Sequence, residues 1–464
     1  MKKLSIVLVV VVIITLSMSG CNAALGAQLM KYSIDASLDD YTLNISEDIH
    51  YINNSDAVLD KLMLVSYVGA YTESGNVANS ASSMAYPFGV NYANLDINSI
   101  EVGGKRSNWR NVDAMYIEVE LDKPLKRNKD INITLEYSET IPKNRLRYGY
   151  NATSINLGNA FIRVAPYENG DFLTYPYSFN GDPFVSDTAS FDVSITCDVD
   201  YRAVATSKLA STTNGNKVTY SGSIDNVRDY ALVLSSAMNV VSDTHNGVNI
   251  TYMASDSVST INIRVAKQCL DVFGKLYGDY PYDNLVIVEN DFLEGGMEYP
   301  CLVYINNNMD AATLERTIVH ELAHQWWYGL VGVDENVDYM IDEGMAELST
   351  YLYYKHNGET AYANALNKKC RDEYTIYTMN YDEQRMSLPL DELSGMEYYA
   401  MAYLKAPLLL YKIMCDMGEG DFLDAMRKIC AEYKYCRIGM DDFVDAFGFH
   451  GNEMREYING KILE

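Results

Sequence analysis

The segment from Thr317 to Trp327 constrains this chain more than any other stretch, because it places a His-Glu-x-x-His motif inside an apolar helical pattern. Residues four apart lie on one face of a helix, so the imidazoles of His320 and His324 can reach a single metal ion. Glu321 is the next residue on the helix and can reach a water molecule on that ion. The motif therefore predicts a metal centre on a helix, with Glu321 as the candidate general base.

A third ligand is needed, since a catalytic zinc site takes three protein ligands and keeps one position for water. Glu343 is the candidate, because it opens a further apolar helix, with eighteen residues between it and His324. Two imidazoles and one carboxylate favour one Zn²⁺ ion, which lowers the pKa of its water so that Glu321 can take a proton. Glu347, one helical turn after Glu343, either orients a ligand or is an ordinary exposed glutamate.

The first twenty residues resemble a secretory signal. Lys2 and Lys3 precede an apolar run from Leu4 to Leu16, which is too short for a comfortable membrane span. The Ser-Gly-Cys ending resembles a bacterial lipobox, which predicts lipidation of Cys21 and anchoring to the cell membrane as a lipoprotein. An uncleaved signal anchor is the alternative, and both place the body of the chain outside the cytoplasm.

Length, charge and composition limit the remaining possibilities. The 464 residues carry a formal net charge of −27, so the phosphates of nucleic acid would repel the chain. A hydrophobic content of 48% is typical of a globular protein with an ample core. The length predicts two or three domains. Wide, irregular cysteine spacing does not resemble a disulfide framework, although Cys430 and Cys436 lie close enough in sequence to pair.

The hydrophobic period changes near residue 240. Before that point apolar and polar residues alternate, as at 41–45, 131–137 and 191–195, which predicts half-buried strands. Beyond it helical periods predominate, and Asp310 stands where it can cap the metal helix. The predicted organisation is a signal peptide at 1–20, a tether at 21–29, an all-β domain at 30–238 and an α+β catalytic domain at 239–464.

The His-Glu-x-x-His motif, with Glu343 after eighteen residues, resembles the aminopeptidase N family of zinc metallopeptidases, the gluzincin aminopeptidases, which include leukotriene hydrolase. The resemblance implies a saddle-like amino-terminal β domain followed by a thermolysin-like catalytic domain. In one respect the chain departs from the family pattern: its 464 residues are too few for the large carboxy-terminal helical domain that many members have, so we expect a short member of the family. The family's β domain sends a polar residue into the site that binds the substrate amine, but no motif in this sequence identifies that residue.

A Gly-Ala-Met-Glu-Asn segment lies upstream of the zinc motif in this family, and its Glu binds the free α-amine of the substrate. Gly295-Gly296-Met297-Glu298-Tyr299 occupies the matching place here, with Tyr299 in place of Asn. The resemblance implies that Glu298 binds the ammonium and that Gly295, Gly296 and Met297 contact the substrate. An edge strand at this position would also pair with an extended peptide.

The family also has a Tyr-x-Lys-Gly segment, whose Tyr stabilises the oxyanion, roughly sixty residues beyond the zinc Glu. Tyr403-Leu404-Lys405-Ala406 fits this place, with Ala in place of Gly. A phenol hydroxyl aimed at a developing oxyanion is a suitable donor, so the resemblance implies that role for Tyr403. Tyr398 and Tyr399 are nearby alternatives.

These features predict a zinc aminopeptidase that removes amino-terminal residues from peptides near the cell surface. One alternative is an endopeptidase with the same zinc chemistry, in which Glu298 does not bind an amine. Another is a surface binding lipoprotein that holds a metal helix without turnover. Retention of the candidate base Glu321 counts against the last alternative.

Overall fold

The structure is a computed structural model that describes residues 29–81, 83–255 and 260–463. The predicted signal peptide, Cys21 and most of the tether lie outside the described residues. In chain order, the strands and the short helix of the first region are β1 (Met30–Asp39), β2 (Thr42–Ile52), β3 (Leu59–Val65), α1 (Val77–Ser80), β4 (Asn94–Val102), β5 (Lys105–Arg106), β6 (Trp109–Asn111), β7 (Tyr116–Leu125), β8 (Asp130–Thr140), β9 (Tyr148–Tyr150), β10 (Ile155–Leu157), β11 (Arg163–Val164), β12 (Tyr167–Glu168), β13 (Asp171–Phe172), β14 (Ala189–Asp198), β15 (Arg202–Ala205), β16 (Ala210–Asn214), β17 (Lys217–Val227) and β18 (Leu232–Ser235).

A large sheet dominates this first region. Its eight strands run in the order β16-β17-β14-β1-β2-β8-β4-β5, with β1 and β14 parallel. Alternate side chains of β1, β2 and β14 are buried, because successive residues of a strand point to opposite faces. Two four-stranded sheets, β15-β18-β10-β9 and β11-β3-β7-β6, share the resulting apolar core. Two of the segments expected to be strands, 131–137 and 191–195, lie within β8 and β14, and the third, 41–45, begins one residue before β2.

The second region combines one sheet with packed helices. Its elements are β19 (Asn239–His245), β20 (Val248–Ala254), α2 (Thr260–Tyr277), β21 (Asn284–Asn290), β22 (Gly296–Met297), β23 (Leu302–Asn306), α3 (Ala311–Ala323), β24 (Val331–Gly332), α4 (Tyr339–His356), α5 (Thr360–Asn380), α6 (Gly395–Tyr399), α7 (Ala406–Met417), α8 (Glu419–Glu432), β25 (Cys436–Arg437), α9 (Met440–Asp445) and α10 (Phe449–Ile458). The fold class predicted from the sequence, an all-β region followed by an α+β region, is confirmed.

The sheet of the second region has the order β19-β20-β21-β23-β22. Strands β20, β21 and β23 are parallel, and β22 joins β23 as a short antiparallel edge. Helices α2, α3 and α4 pack against one another, and α3 also contacts β22 and β23. This packing places the metal helix beside the edge strand that contains Gly296 and Met297.

Buried polar contacts join the two regions. The guanidinium of Arg228 donates to the carbonyl oxygens of Tyr328, at 2.7 Å, and Cys436, at 2.9 Å. Cys430 is a buried free thiol, so it does not pair with Cys436. Across the described ranges, none of the helices is both long and apolar enough to cross a membrane.

Candidate active site

Helix α3 presents the His-Glu-x-x-His motif at its carboxy-terminal end. The carboxylate of Asp310 accepts hydrogen bonds from the backbone amides of Ala312 and Thr313, both at 3.0 Å, which confirms the predicted cap. The first turn is exposed, whereas every residue from Thr317 to Ala323 is buried. After His324 the chain continues in a wider helical segment, Gln325–Leu330, which is kinked where Trp327 and Tyr328 leave the helical conformation. The motif therefore lies in the interior of the protein.

The three predicted metal ligands converge. Nε2 of His320 lies 3.2 Å from Oε2 of Glu343 and 3.1 Å from Nε2 of His324. Nε2 of His324 lies 3.6 Å from the same Glu343 oxygen. Atoms bound to one zinc ion at about 2.0–2.1 Å in tetrahedral geometry are separated by about 3.3 Å. The donor types and their separations both fit zinc.

The outer nitrogens of both imidazoles contact carboxylates. Nδ1 of His324 lies 2.5 Å from Oδ1 of Asp342, and Nδ1 of His320 lies 3.1 Å from Oε1 of Glu347. Arg316 in turn donates to both oxygens of Glu347, at 2.7 and 2.6 Å. Burial would raise the pKa of Glu347, but Arg316 and His320 outweigh it and lower that pKa to about 2. Glu347 is therefore an ionised partner that orients His320, not an exposed glutamate.

Glu321 lies against the edge strand. A Cβ atom on Gly296 would lie only 2.2 Å from Oε1 of Glu321, so glycine is required where the strand passes this side chain. Glu321, Glu298 and His324 each place one ligand atom within 4.8 Å of the others. Burial raises the pKa of Glu321 to about 7, although the two imidazoles oppose that rise. A carboxyl group with such a pKa suits proton transfer near neutrality.

Glu298 faces the cavity beside Glu321. The residue is only 3% exposed, and its Oε1 atom has no hydrogen-bond partner among the described residues. Burial raises the pKa of Glu298 well above its ordinary value. The amide of Gln325, just after the metal helix, accepts from the Cys301 amide at 2.8 Å and donates to the Tyr299 carbonyl at 3.2 Å. This clamp fixes Glu298 relative to the metal ligands.

The other residues of the Gly-Gly-Met-Glu-Tyr segment divide between the cavity and the core. Gly295 and Gly296 line the cavity, as the sequence predicts for substrate contact. Met297 does not line it, and its side chain is fully buried in the core of the first region. Tyr299 also points away, since its hydroxyl donates to Oδ1 of Asn159 at 2.8 Å.

Tyr403 reaches the metal ligands from a wide helical turn, Ala400–Lys405. Its hydroxyl donates to Oε1 of Glu343, and its ring stacks 6.1 Å from that of His320. Lys405 is fully buried and forms an ion pair with Glu383, which fixes the turn. Burial raises the pKa of Tyr403 well above its ordinary value, so the phenol keeps its proton.

The two alternative tyrosines behave differently from each other. Tyr398 also donates to Oε1 of Glu343, at 3.4 Å, and lines the cavity beside Tyr403. Tyr399 lines the cavity but donates its hydroxyl to Glu373 at 2.9 Å. Tyr403 and Tyr398 therefore both face the metal ligands, and Tyr399 does not.

The first region contributes two charged residues that the sequence reasoning missed. Asp182 and Arg147 line the cavity and form an ion pair. The amide of Asn180 holds the Asp182 loop against the second region, donating to the carbonyl oxygens of Leu390 at 3.2 Å and Leu393 at 2.6 Å. Burial raises the pKa of Asp182 to about 7. An Asn-Gly-Asp-Pro turn marks the loop in the sequence, but a turn signal does not show what the loop contacts.

These residues enclose a cavity of about 730 Å³, which is within the range of small-ligand sites. Around one end lie Arg147, Asp182, Glu294 and Glu298, called here the amine end. The other lining residues include several aromatic side chains, namely Tyr351, Tyr362, Tyr399 and Tyr411. The metal ligands lie in the wall of the same cavity.

Part of the second region matches a known protein family. Residues 261–459 match the model described as the peptidase family M1 domain. The matched residues lie within the second region and make up less than half of the chain. This match confirms the resemblance to the gluzincin aminopeptidases drawn from His320, His324 and Glu343. The M1 domain contains every predicted metal ligand, together with Glu298 and Tyr403.

Curated relatives of the M1 domain include aminopeptidases. Mitochondrial aminopeptidase 2 of Saccharomyces cerevisiae is 28% identical over 218 residues, which cover 41% of this chain and 22% of that protein. Human aminopeptidase B is 26% identical over 195 residues, which cover 39% of this chain and 30% of that protein. The chain thus spans between about a fifth and a third of these relatives' lengths.

Solved structures extend the likeness beyond the M1 domain. An M1 zinc metallopeptidase from Deinococcus radiodurans superposes with a TM-score of 0.69 at 14% identity, covering 94% of each chain. A mutant of the same enzyme bound to a Tyr-Ser-Ala substrate superposes equally well and covers 95% of that chain. At this identity the likeness shows a shared fold, and the coverage extends it to both regions.

Proposed function

We propose that this protein is a zinc-dependent aminopeptidase that hydrolyses the first peptide bond of peptides with a free amino terminus. The buried carboxylate of Glu298 carries the proposal, because its unpartnered oxygen faces the cavity beside the metal ligands. A substrate ammonium at this point would supply the missing partner. The scissile bond would then lie one residue away, near Glu321.

One zinc ion, held by His320, His324 and Glu343, would polarise the scissile carbonyl and lower the pKa of the attacking water. Glu321 accepts the proton of that water and later donates it to the leaving amine. Burial favours the protonated form of this carboxyl, which helps Glu321 to hold the proton between the two transfers. Asp342 and Glu347 hold the imidazoles of His324 and His320 in the orientation that ligation requires.

Tyr403 and the edge strand complete the arrangement. The Tyr403 hydroxyl keeps its proton and lies beside Glu343, so a small movement would direct it to the developing oxyanion. Strand β22 pairs only with β23 among the described strands, which leaves its other edge open. An extended peptide can pair with that edge, with its ammonium on Glu298.

The comparisons support this proposal without deciding it. The M1 match covers the zinc motif, and the curated relatives are named as aminopeptidases. The Deinococcus structure holds a Tyr-Ser-Ala substrate in a two-region fold of the same kind. The first region supplies Asp182 to the same end of the cavity, so both regions contribute to the proposed substrate site.

The decisive experiment compares an aminoacyl anilide with its Nα-acetylated form, using the zinc-loaded chain. We expect the free amine to be hydrolysed at least about a hundredfold faster, because acetylation removes the charge that Glu298 binds. Equal cleavage of both forms would favour the endopeptidase alternative. Stoichiometric zinc with no hydrolysis across a broad peptide panel would favour the silent binding protein.

We also propose that the mature protein is anchored outside the cytoplasm through a lipid on Cys21, with peptides reaching it at the cell surface. Support comes from the basic, apolar and small-residue pattern of the first twenty residues. Mass spectrometry of the amino-terminal peptide from the native host tests this, since a diacylated Cys21 is expected. An intact Met1 on the membrane-bound protein would point to an uncleaved anchor instead.

A further inference from the structure

The amine end of the cavity carries more negative charge than one substrate ammonium can balance. Asp182, Glu294 and Glu298 contribute three carboxylates, and Arg147 contributes the one guanidinium at this end among the described lining residues. If all three carboxyl groups were ionised, their charge would exceed that of the guanidinium by two. Burial disfavours this state for Asp182 and Glu298 until cations pair with them. A substrate ammonium on Glu298 would compensate one of the two excess charges.

The geometry around Arg147 shows where the second excess charge lies. Its Nη2 atom faces both carboxylates, lying 3.3 Å from Oε2 of Glu294 and in an ion pair with Oδ1 of Asp182. The Arg147 side chain is only 9% exposed, so these charges meet with little solvent between them. Two carboxylates that share one nitrogen repel each other, and a second cation would relieve that repulsion.

The remaining cavity cations are committed elsewhere. Arg316 uses its guanidinium on both oxygens of Glu347. Lys369 lies 3.7 Å from Glu373, and its side chain is 72% exposed to solvent. No other lysine or arginine lines the cavity within the described ranges, so a second cation at the amine end must come with the ligand.

The position of Glu294 connects this charge to the first substrate residue. Glu294 and Glu298 flank Gly295–Gly296, and all four line the cavity, whereas Met297 does not. The first side chain of a peptide leaves the carbon that carries the ammonium, so its pocket must adjoin Glu298. The Glu294 side chain is 40% exposed, and its Oε2 atom, which faces Arg147, is buried and has no hydrogen-bond partner among the described residues. Phe179 also lines the cavity, and its ring can cover an aliphatic stem.

We infer that the preferred substrates begin with a basic residue, lysine or arginine, and that Glu294 and Asp182 bind its charged side chain. The inference rests on the proposed aminopeptidase function. It assigns Glu298 to the α-ammonium and the Arg147-linked carboxylates to the side chain. A substrate with both cations would bring the charge of the amine end to zero.

The test uses arginine and citrulline 4-nitroanilides with the zinc-loaded full chain. Citrulline keeps the length and much of the hydrogen bonding of arginine but lacks its charge. We expect kcat/KM for arginine to exceed that for citrulline by about tenfold or more. Glu294→Gln should bring this ratio close to one.

A matched control is available three residues upstream. Asp291 forms an ion pair with Arg145 at 2.6 Å and does not line the cavity. Asp291→Asn should therefore preserve the arginine-to-citrulline ratio. A ratio that falls equally in Asp291→Asn and Glu294→Gln would overturn the assignment of Glu294.

Failure of this inference differs from failure of the proposed function. Equal kcat/KM for arginine and citrulline substrates, with their acetylated forms inert, would overturn the inference and leave the aminopeptidase standing. If no anilide were hydrolysed, calorimetric binding of L-argininamide and L-citrullinamide to the zinc-loaded chain would decide. Tighter binding of L-argininamide supports the charged pocket, and equal affinities refute it.

Discussion

Largely buried glutamates occur in both regions, and their surroundings differ. In α4, Glu343 and Glu347 lie against imidazoles, and Glu347 also binds a guanidinium. In the large β sheet, Glu47 accepts from the hydroxyl of Tyr137 at 2.7 Å, and Glu139 accepts from that of Tyr148 at 3.0 Å. The first pair faces groups that carry positive charge, whereas the second pair faces neutral phenols.

The pKa shifts of the two pairs have opposite signs. Burial raises the pKa of Glu47 to about 8, despite the Tyr137 hydrogen bond, and raises that of Glu139 well above its ordinary value. Burial acts on Glu347 as well, but Arg316 and His320 reverse its effect. Burial alone therefore gives a neutral carboxyl that serves the fold, and nearby cations make it a charged group that can serve a metal site.

Replacement of a glutamate by glutamine keeps the shape of the side chain and removes its ability to carry a negative charge. Such variants therefore distinguish carboxylates that act at the site from neutral carboxyl groups that serve the fold. The largest effect is expected at Glu321. Glu321→Gln should lower kcat by about 10²–10⁴-fold, because the general base is lost. Zinc content, measured by mass spectrometry, should stay at the wild-type level, and unchanged turnover would refute the base assignment.

Glu298 should show the next largest effect, and only with one class of substrate. Glu298→Gln should reduce kcat/KM for free aminoacyl anilides by about a hundredfold, since a buried charge partner of the ammonium is removed. Turnover of Nα-acetylated substrates, which is already low, should change little. A loss of equal size for both classes would remove the amine-binding role from Glu298.

Replacement of Glu347 should weaken zinc binding more than it lowers the rate of hydrolysis. Glu347→Gln should weaken zinc binding by about 10–100-fold, measured by competition with a chelator, because His320 loses the carboxylate that orients it. Glu315→Gln is the matched control, since this neighbour of Arg316 does not line the cavity. Equal zinc affinity in the Glu347 variant and the wild type would show that His320 needs no such support.

The effect expected at Glu47 concerns stability and not activity. The Glu47 carboxyl titrates near pH 4.5 when exposed and near 8 in the folded protein. The folded state thus holds the extra proton between these values, and stability decreases as pH rises through that window, by at most about 1.4 kcal/mol per pH unit. Glu47→Gln should reduce the difference in unfolding free energy between pH 5.5 and 8.5.

Urea unfolding at the two pH values measures this difference. The exposed Glu136, which accepts a hydrogen bond from Ser46 on the same sheet, provides a control, and Glu136→Gln should leave the pH dependence unchanged. An identical pH dependence in the Glu47 variant and the wild type would contradict the neutral state of this carboxyl.

Sequence reasoning succeeded where spacing along one helix determines geometry. His320, Glu321 and His324 needed only the helical repeat, and Asp310 needed only its place before α3. Glu343, Glu298 and Tyr403 came from the family pattern, and the structure brings all three to one cavity. Met297 was assigned with its neighbours, but the alternation of an extended strand turns its side chain into the core.

Residues brought together by tertiary packing were not predictable in this way. Arg147, Asp182 and Arg316 belong to no motif, and only the docking of distant segments shows their partners. The burial of Glu47, in contrast, could have been predicted from the alternating pattern of β2. Glu47 lies in phase with Leu43, Ile45 and Ile49 in β2, and this alternation places it in the core despite its polarity.

The Asp182 loop has a consequence for how this protein can be divided. The carboxyl groups of Asp182 and Glu298 line one cavity, although Asp182 belongs to the first region and Glu298 to the second. A recombinant fragment limited to residues 261–459 would keep the zinc ligands but lose Arg147 and Asp182. Transfer of the complete cavity to another protein, by recombination in evolution or by grafting in the laboratory, therefore requires both regions together.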